Sequence, residues 1–471
     1  MNELLSELGS GPILIVLALL CTTVVVVGLA SPHVAFAVAL ACLYNPYFSF
    51  RYALSESFEG AGVRALFSLA LLASLGFALF LRHSIHPHSD TRVRTFLDRP
   101  LMFFSGLMVI SAIHALFAGH DLRLILADLM PLLEFLGFFI IGAKVLRTPR
   151  QAMTFSTIIL VLGTFTASIL LVLYVLLGST LTTDFLVGGT GIAVQRLTDF
   201  MPIVLLPFAL GMAIHAGTAK RLWLSMCIGI LSATLIVGFW RSAWLAVVFA
   251  LSFIVWSLSW DHQRSQRPTS IAVVVVVLGS VIFVVLPRLG LPIDPAEAVF
   301  ARASSTRSTD SSARLSEIRD LSIVIANKPI LGTGFGATTV MTSTLPPYAD
   351  TLRHTGTVHN YYFALASQVG LLALLLFLWV PLRIFLVAKS ALRQNLPGPQ
   401  AGLLVGAVAS FLAVGVAIAF NPIHLHFSLF AYLGALAALV TVLHHQHDEL
   451  TSSLDQLGES KTTHPEGSRT P

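Results

Sequence analysis

Apolar runs of about 18 or more residues recur along almost the whole chain, each long enough to cross a bilayer core of about 30 Å. Runs such as 12–30 and 361–382 show no alternation of apolar and polar positions, which excludes a membrane β-barrel. Backbone polar groups must be satisfied internally in lipid, so the remaining solution is a bundle of helices. The pattern predicts spans at 12–30, 33–50, 63–81, 100–118, 123–145, 152–178, 198–217, 222–239, 242–260, 270–289, 361–388, 400–420 and 424–443. The expected class is therefore all-α, a polytopic integral membrane protein of about 12–13 transmembrane helices.

Between 290 and 360 this rhythm stops. A connection of that length without structure would be unusual unless it served a function. Within it Leu315, Ile318, Leu321 and Ile325 recur at roughly helical spacing, which predicts an amphipathic helix near the membrane interface, ended at Lys328–Pro329. The expected organisation is transmembrane helices one to ten over 1–289, the long loop over 290–360, C-terminal transmembrane helices over 361–443, and a disordered tail over 444–471.

Composition agrees with the pattern. Of 471 residues, 56% are hydrophobic and 11% charged, with a mean hydropathy of +0.84. Basic residues fall in alternate short loops: Arg82 to Arg99, Lys144 to Arg150, Lys220–Arg221, Arg264 and Arg267, and Arg383 to Arg393. The positive-inside rule makes those loops and the tail cytoplasmic, and the long loop extracytoplasmic. The net charge of +5 is scattered over these loops, so it forms no track for a nucleic-acid backbone. Cys21, Cys42 and Cys227 lie inside apolar runs, as small packing residues do, and indicate neither a disulfide frame nor a thiolate metal site. His444, His445 and His447 read as part of a solvated tail, and no metal or cofactor is expected. The N-terminus MNELLSELGSGP lacks a basic n-region, so 12–30 is expected to be a retained helix.

Three arginines and a histidine on the loop side carry the chemistry. Arg241 stands in GFWRSAWLAVVF, within an apolar stretch of about 39 residues that suits two helices turning at Trp240–Arg241. An arginine there is costly without water access or an anionic partner. It can be a snorkelling interface arginine between Trp240 and Trp244, or an anion contact at a helix terminus, the reading favoured here. Arg196 precedes the span at 198 and can pair with Asp199. Arg314 opens the loop helix and can pair with Glu317 at i+3. Planar guanidinium groups grip diphosphate bidentately, which would let several arginines replace a metal ion.

His359, in TGTVHNYYFALASQVG, stands at the expected water boundary, where a histidine can accept a proton from a sugar hydroxyl; packing against aromatics is the alternative. Asn360 and Tyr361 beside it, with Arg196 and Lys328, complete the candidate substrate-binding residues. GTGFG at 332–336 follows no strand and opens no crossover helix, so it reads as a flexible turn rather than a nucleotide loop. Asp128 and Glu134 are separated by about 120° around one helix, so they make no paired-carboxylate site; either can pair an arginine or line a cavity.

Taken in order, three segments resemble the O-antigen ligase and polymerase family. WRSAWLAVVF at 240–249 is similar to its arginine-x-x-x-leucine segment, and ARLSEIRDLSIVIANKPILGTGFG at 313–336 to its arginine, helix and Pro-x-x-Gly-x-Gly-x-Gly turn. HNYYFALASQVG from His359 resembles its His-Asn/Ser-x-x-Leu segment, with Phe363 at the leucine position; Ile318 replaces an aromatic common in the loop helix. The resemblance covers about 190–390. It implies a metal-independent, inverting glycosyltransferase of the GT-C type in the bacterial inner membrane, acting on the periplasmic face. The implied donor is an undecaprenyl-diphosphate-linked glycan. The implied acceptor is lipid A-core in lipopolysaccharide biosynthesis, or a growing glycan if the protein is an O-antigen or exopolysaccharide polymerase. Arg241 and Arg314 would hold the diphosphate and His359 would act on the acceptor hydroxyl; Arg196 is added from its own position. A transporter or flippase of a lipid-linked sugar would predict an inverted repeat and broken midplane helices, and no repeat is visible.

Overall fold

The computed structural model describes residues 10–43, 59–85, 95–186, 201–237, 241–258, 308–342, 349–354, 358–393, 396–420 and 429–445. Among the described residues the first nine helices are α1 (Ser10–Ala30), α2 (Pro32–Cys42), α3 (Glu59–Ile85), α4 (Asp98–Phe117), α5 (Leu122–Val145), α6 (Pro149–Leu186), α7 (Met201–His215), α8 (Thr218–Val237) and α9 (Arg241–Leu258). After them come α10 (Ser308–Asn327), β1 (Thr338–Thr342), β2 (Ala349–His354), α11 (Tyr361–Val369), α12 (Leu371–Arg393), α13 (Gly398–Ile418) and α14 (Leu429–His445). Among the described residues six helices are long and apolar enough to cross a membrane, and five more are shorter but apolar. The protein is a polytopic, essentially all-α membrane protein. The expected span at 270–289 lies outside the described residues.

Local signals explain where several helices begin. Asp121 caps α5 by accepting from the Arg123 N–H at 2.8 Å. Thr148 and Gln151 form a reciprocal capping box at α6: the Gln151 carbonyl accepts from Thr148 N at 3.0 Å, and Gln151 N donates to the Thr148 hydroxyl at 3.2 Å.

The centre of the bundle is the α7–α13 pair. Almost every residue of α7 is buried, as expected of a helix that is apolar all round. The two helices run antiparallel, with Gly211 facing Gly402 and Gly406, and the Ser410 hydroxyl donating to the Val204 carbonyl at 2.7 Å. A Cβ at Gly211 or Gly406 would enter the other backbone, so glycine is what permits this approach. Gly434 of α14 likewise lies against the Phe135 carbonyl of α5. The outer helices show the reverse face: Phe103, Phe117 and Phe165 are exposed, a surface made for lipid.

Three expectations change. The span expected at 361–388 is two helices broken at Gly370, whose φ is +94°. The break exists because the loop packs into it: the Leu371 N–H donates to the Pro329 carbonyl at 2.8 Å, and a Cβ on Gly370 would collide with the Ile330 carbonyl. The long loop also contains an antiparallel hairpin, β1 with β2, beyond the expected helix. Finally, α14 continues through His445, and the His444 ring packs edge-on against Phe96 at 5.9 Å, so these two histidines belong to the bundle and not to a tail. His447 lies outside the described residues.

Candidate functional site

Helix α10 does not bury the stripe its sequence suggested. Leu315 is 67% exposed, whereas Glu317 and Leu321 are buried. The inward face is turned because Glu317 has a partner: its Oε2 accepts from His359 Nδ1 at 3.0 Å and from the His359 backbone N–H at 3.2 Å. Two hydrogen bonds to one oxygen compensate a carboxylate that would otherwise be expensive to bury. Leu321, one turn further, packs with Val358 and Ala364 beneath the pair.

An ionised carboxylate only accepts, so Nδ1 carries the proton and Nε2 of a neutral ring presents its lone pair. This is the arrangement in which a carboxylate orients a histidine as a base. About a third of the His359 side chain remains exposed. In the sequence Glu317 is visible only as a possible i+3 partner of Arg314; the contact with His359 spans 42 residues and no local pattern announces it.

Arg314 lies one turn before Glu317 on α10, and its Nη1 donates to the Phe420 carbonyl just past the end of α13 at 3.2 Å. That bond ties the loop helix to the central helix pair. Because α7 and α13 are antiparallel, the start of α7 is at the same end. The two-residue link at 216–217 sends α8 back, and the Trp244 indole N–H donates to the Leu235 carbonyl at 3.2 Å across the turn into α9. Arg241, the first residue of α9, therefore begins its helix at the end where Arg314 and His359 stand. The Arg241 side chain and all of Arg196 lie outside the described residues.

The remaining candidates separate. Asn360 caps α11, its side-chain oxygen accepting from Tyr362 N and Phe363 N at 3.1 and 3.3 Å. Tyr361 is buried against Phe377 and Phe430, at ring distances of 5.8 and 5.3 Å, so its ring is core and not a substrate platform. Lys328 is exposed just past the C-terminal end of α10, about 21 Å along the helix axis from Arg314.

The glycine turn proves to be a fitted part. Gly332, Gly334 and Gly336 all have positive φ. Thr333 N and Gly334 N donate to the Ser367 and Gln368 carbonyls at 2.8 and 2.9 Å. Gly336 N and the Gln368 side-chain amide both donate to Asp128 Oδ2 at 2.7 Å. The His120 ring bonds to the Phe335 carbonyl at 2.8 Å. Asp128, expected to meet an arginine or a cavity, instead latches the loop to α11 and α5.

The fold and this arrangement define a multi-pass membrane protein with a histidine, a carboxylate and Arg314 at one end of its helices, where α9 also begins. Residues 224–378 match the family model described as O-antigen ligase, which bears out the resemblance and supports an O-antigen ligase-like family over this segment of the chain. No curated protein and no solved structure matches the chain. Arg241, Arg314, Lys328, His359, Asn360 and Tyr361 fall inside the matched segment and Arg196 before it.

Proposed function

We propose that this protein is a glycosyltransferase that moves a glycan from undecaprenyl diphosphate to a sugar hydroxyl on the periplasmic face of the bacterial inner membrane. The reaction favoured is the joining of O-antigen to lipid A-core, with lipid-linked glycan and membrane lipids as the partners. The observation that carries the reading is the Glu317–His359 pair, held at the bundle end where Arg314 stands and Arg241 begins its helix. Placement of the basic residues supports the orientation, since Arg82, Lys144 and Arg147 lie at the opposite end.

In this mechanism His359 Nε2 takes the proton of the acceptor hydroxyl as its oxygen attacks the anomeric carbon. Glu317 keeps the ring oriented and stabilises the imidazolium that forms. The bond to the diphosphate oxygen breaks on the opposite face, so the configuration inverts. Arg314 and Arg241 meet the charge that grows on the departing diphosphate, the task a metal ion performs elsewhere. In this reading Glu317, Arg314 and His359 of the long loop act together with Arg241 at the start of α9, and the helices supply the frame.

The test is glycan transfer by purified protein from a lipid-linked donor to lipid A-core. Turnover without an ion gradient supports the enzyme. Transport of the donor without transfer overturns it. In cells lacking the protein, accumulation of long lipid-linked polymer supports the ligase, whereas accumulation of single repeat units points to a polymerase.

A further inference from the structure

At the far end of α5 from the Asp128 latch, a cavity of about 370 Å³ opens between the start of α2, the ends of α3 and α5, and the start of α6. Its charged lining among the described residues is of one sign: Arg82 from α3, Lys144 from α5 and Arg147 from the link to α6, with His83 and Gln151 beside them and no acidic residue among those described. Arg82 is fixed in place by a 3.2 Å hydrogen bond from Nη1 to the Leu29 carbonyl at the corner between α1 and α2. A guanidinium has five N–H donors, so this bond positions the group without exhausting it. Arg147 Nε donates to the Lys144 backbone carbonyl at 2.9 Å, which holds the Arg147 side chain at the end of α5.

The other wall is apolar. Phe80 and Ile140 line the cavity and are 64% and 52% exposed on the helix faces that meet lipid. Gly76 contributes no side chain, and a Cβ there would meet only open space. Converging cations beside an apolar trough, at the level where a helix bundle meets the headgroups, match a phosphate carrying acyl chains. A free phosphate would gain nothing from the apolar wall.

We propose that this cavity binds an anionic phospholipid, its phosphate between Arg82, Lys144 and Arg147 and an acyl chain along Phe80 and Ile140. This site is separate from the one proposed for glycan transfer and does not depend on that reading.

The full-length protein in detergent is titrated with phosphatidylglycerol, with phosphatidylcholine of the same chains, and with inorganic phosphate, and bound species are counted by native mass spectrometry. Phosphatidylglycerol is expected to bind in preference to phosphatidylcholine, with no binding of inorganic phosphate. R82Q/K144Q removes two cations and is expected to weaken the phosphatidylglycerol adduct by about thirtyfold. G76F fills the trough at unchanged charge and weakens the same adduct, while K220Q/R221Q, in the first turn of α8, leaves it unchanged. Equal binding of the two lipids, equal binding of inorganic phosphate, or full binding by both R82Q/K144Q and G76F overturns the proposal.

Discussion

The two ends of the bundle handle their ionisable residues in opposite ways. At the loop end, Glu317 and Asp128 are buried and each has partners at hydrogen-bond distance that come from distant parts of the chain. At the other end, Lys144 and Arg147 are exposed and Arg82 is half-buried; Arg147 bonds to the backbone carbonyl of Lys144 and Arg82 to that of Leu29, and neither of those partners is a carboxylate. A buried carboxylate must have a fixed partner or it destabilises the fold, so the first arrangement specifies a geometry. A cluster of solvated cations acts through its summed field, tolerates exchange of one member, and is screened by salt. The first kind of end is suited to chemistry on a bound group, the second to topology and to lipid.

The comparison is tested most severely at the loop end. Replacing His359 or Arg314 by Ala should each cost on the order of 3 kcal/mol at the transition state, a loss of about two orders of magnitude in glycan transfer. Transfer by membranes holding normal amounts of either variant would overturn the assignment. Glu317→Ala should lower transfer by about ten- to a hundredfold, because the ring loses its orientation and charge partner. Glu317→Gln keeps an acceptor for the His359 N–H groups and should recover part of that loss; equal rates for the two variants would reduce Glu317 to a packing residue.

Smaller effects are expected from the latch. Asp128→Ala leaves the Gly336 N–H and the Gln368 amide without their shared acceptor and should cost about 1–3 kcal/mol, read as a lower melting temperature in detergent. Gly370→Ala forces a Cβ into positive φ and against the Ile330 carbonyl, with a cost of at least about 1 kcal/mol in the same measurement. The smallest effect belongs to the far end. R82Q/K144Q should leave glycan transfer in phosphatidylcholine unchanged, and a loss as large as that of His359→Ala would erase the distinction between the two ends.

The sequence by itself determined the class of the protein and most of its helices. A run of some twenty apolar residues has one stable solution in lipid, so period and length are enough to place α4, α5, α8, α9 and α13 close to their observed bounds. It also singled out His359 and Arg314, because their short motifs survive as contiguous segments. What it did not determine were the contacts between segments. Glu317 looks like the i+3 partner of Arg314 until α10 is laid against α11. Tyr361 looks like part of the site until its ring enters the core beside Phe377 and Phe430. Asp128 looks like a costly intramembrane charge until a glycine turn more than 200 residues away offers it an N–H. Apolar periodicity records how each helix meets lipid, which is a local property. The partner of a buried polar group is chosen by which backbones come close, and only the packed chain decides that.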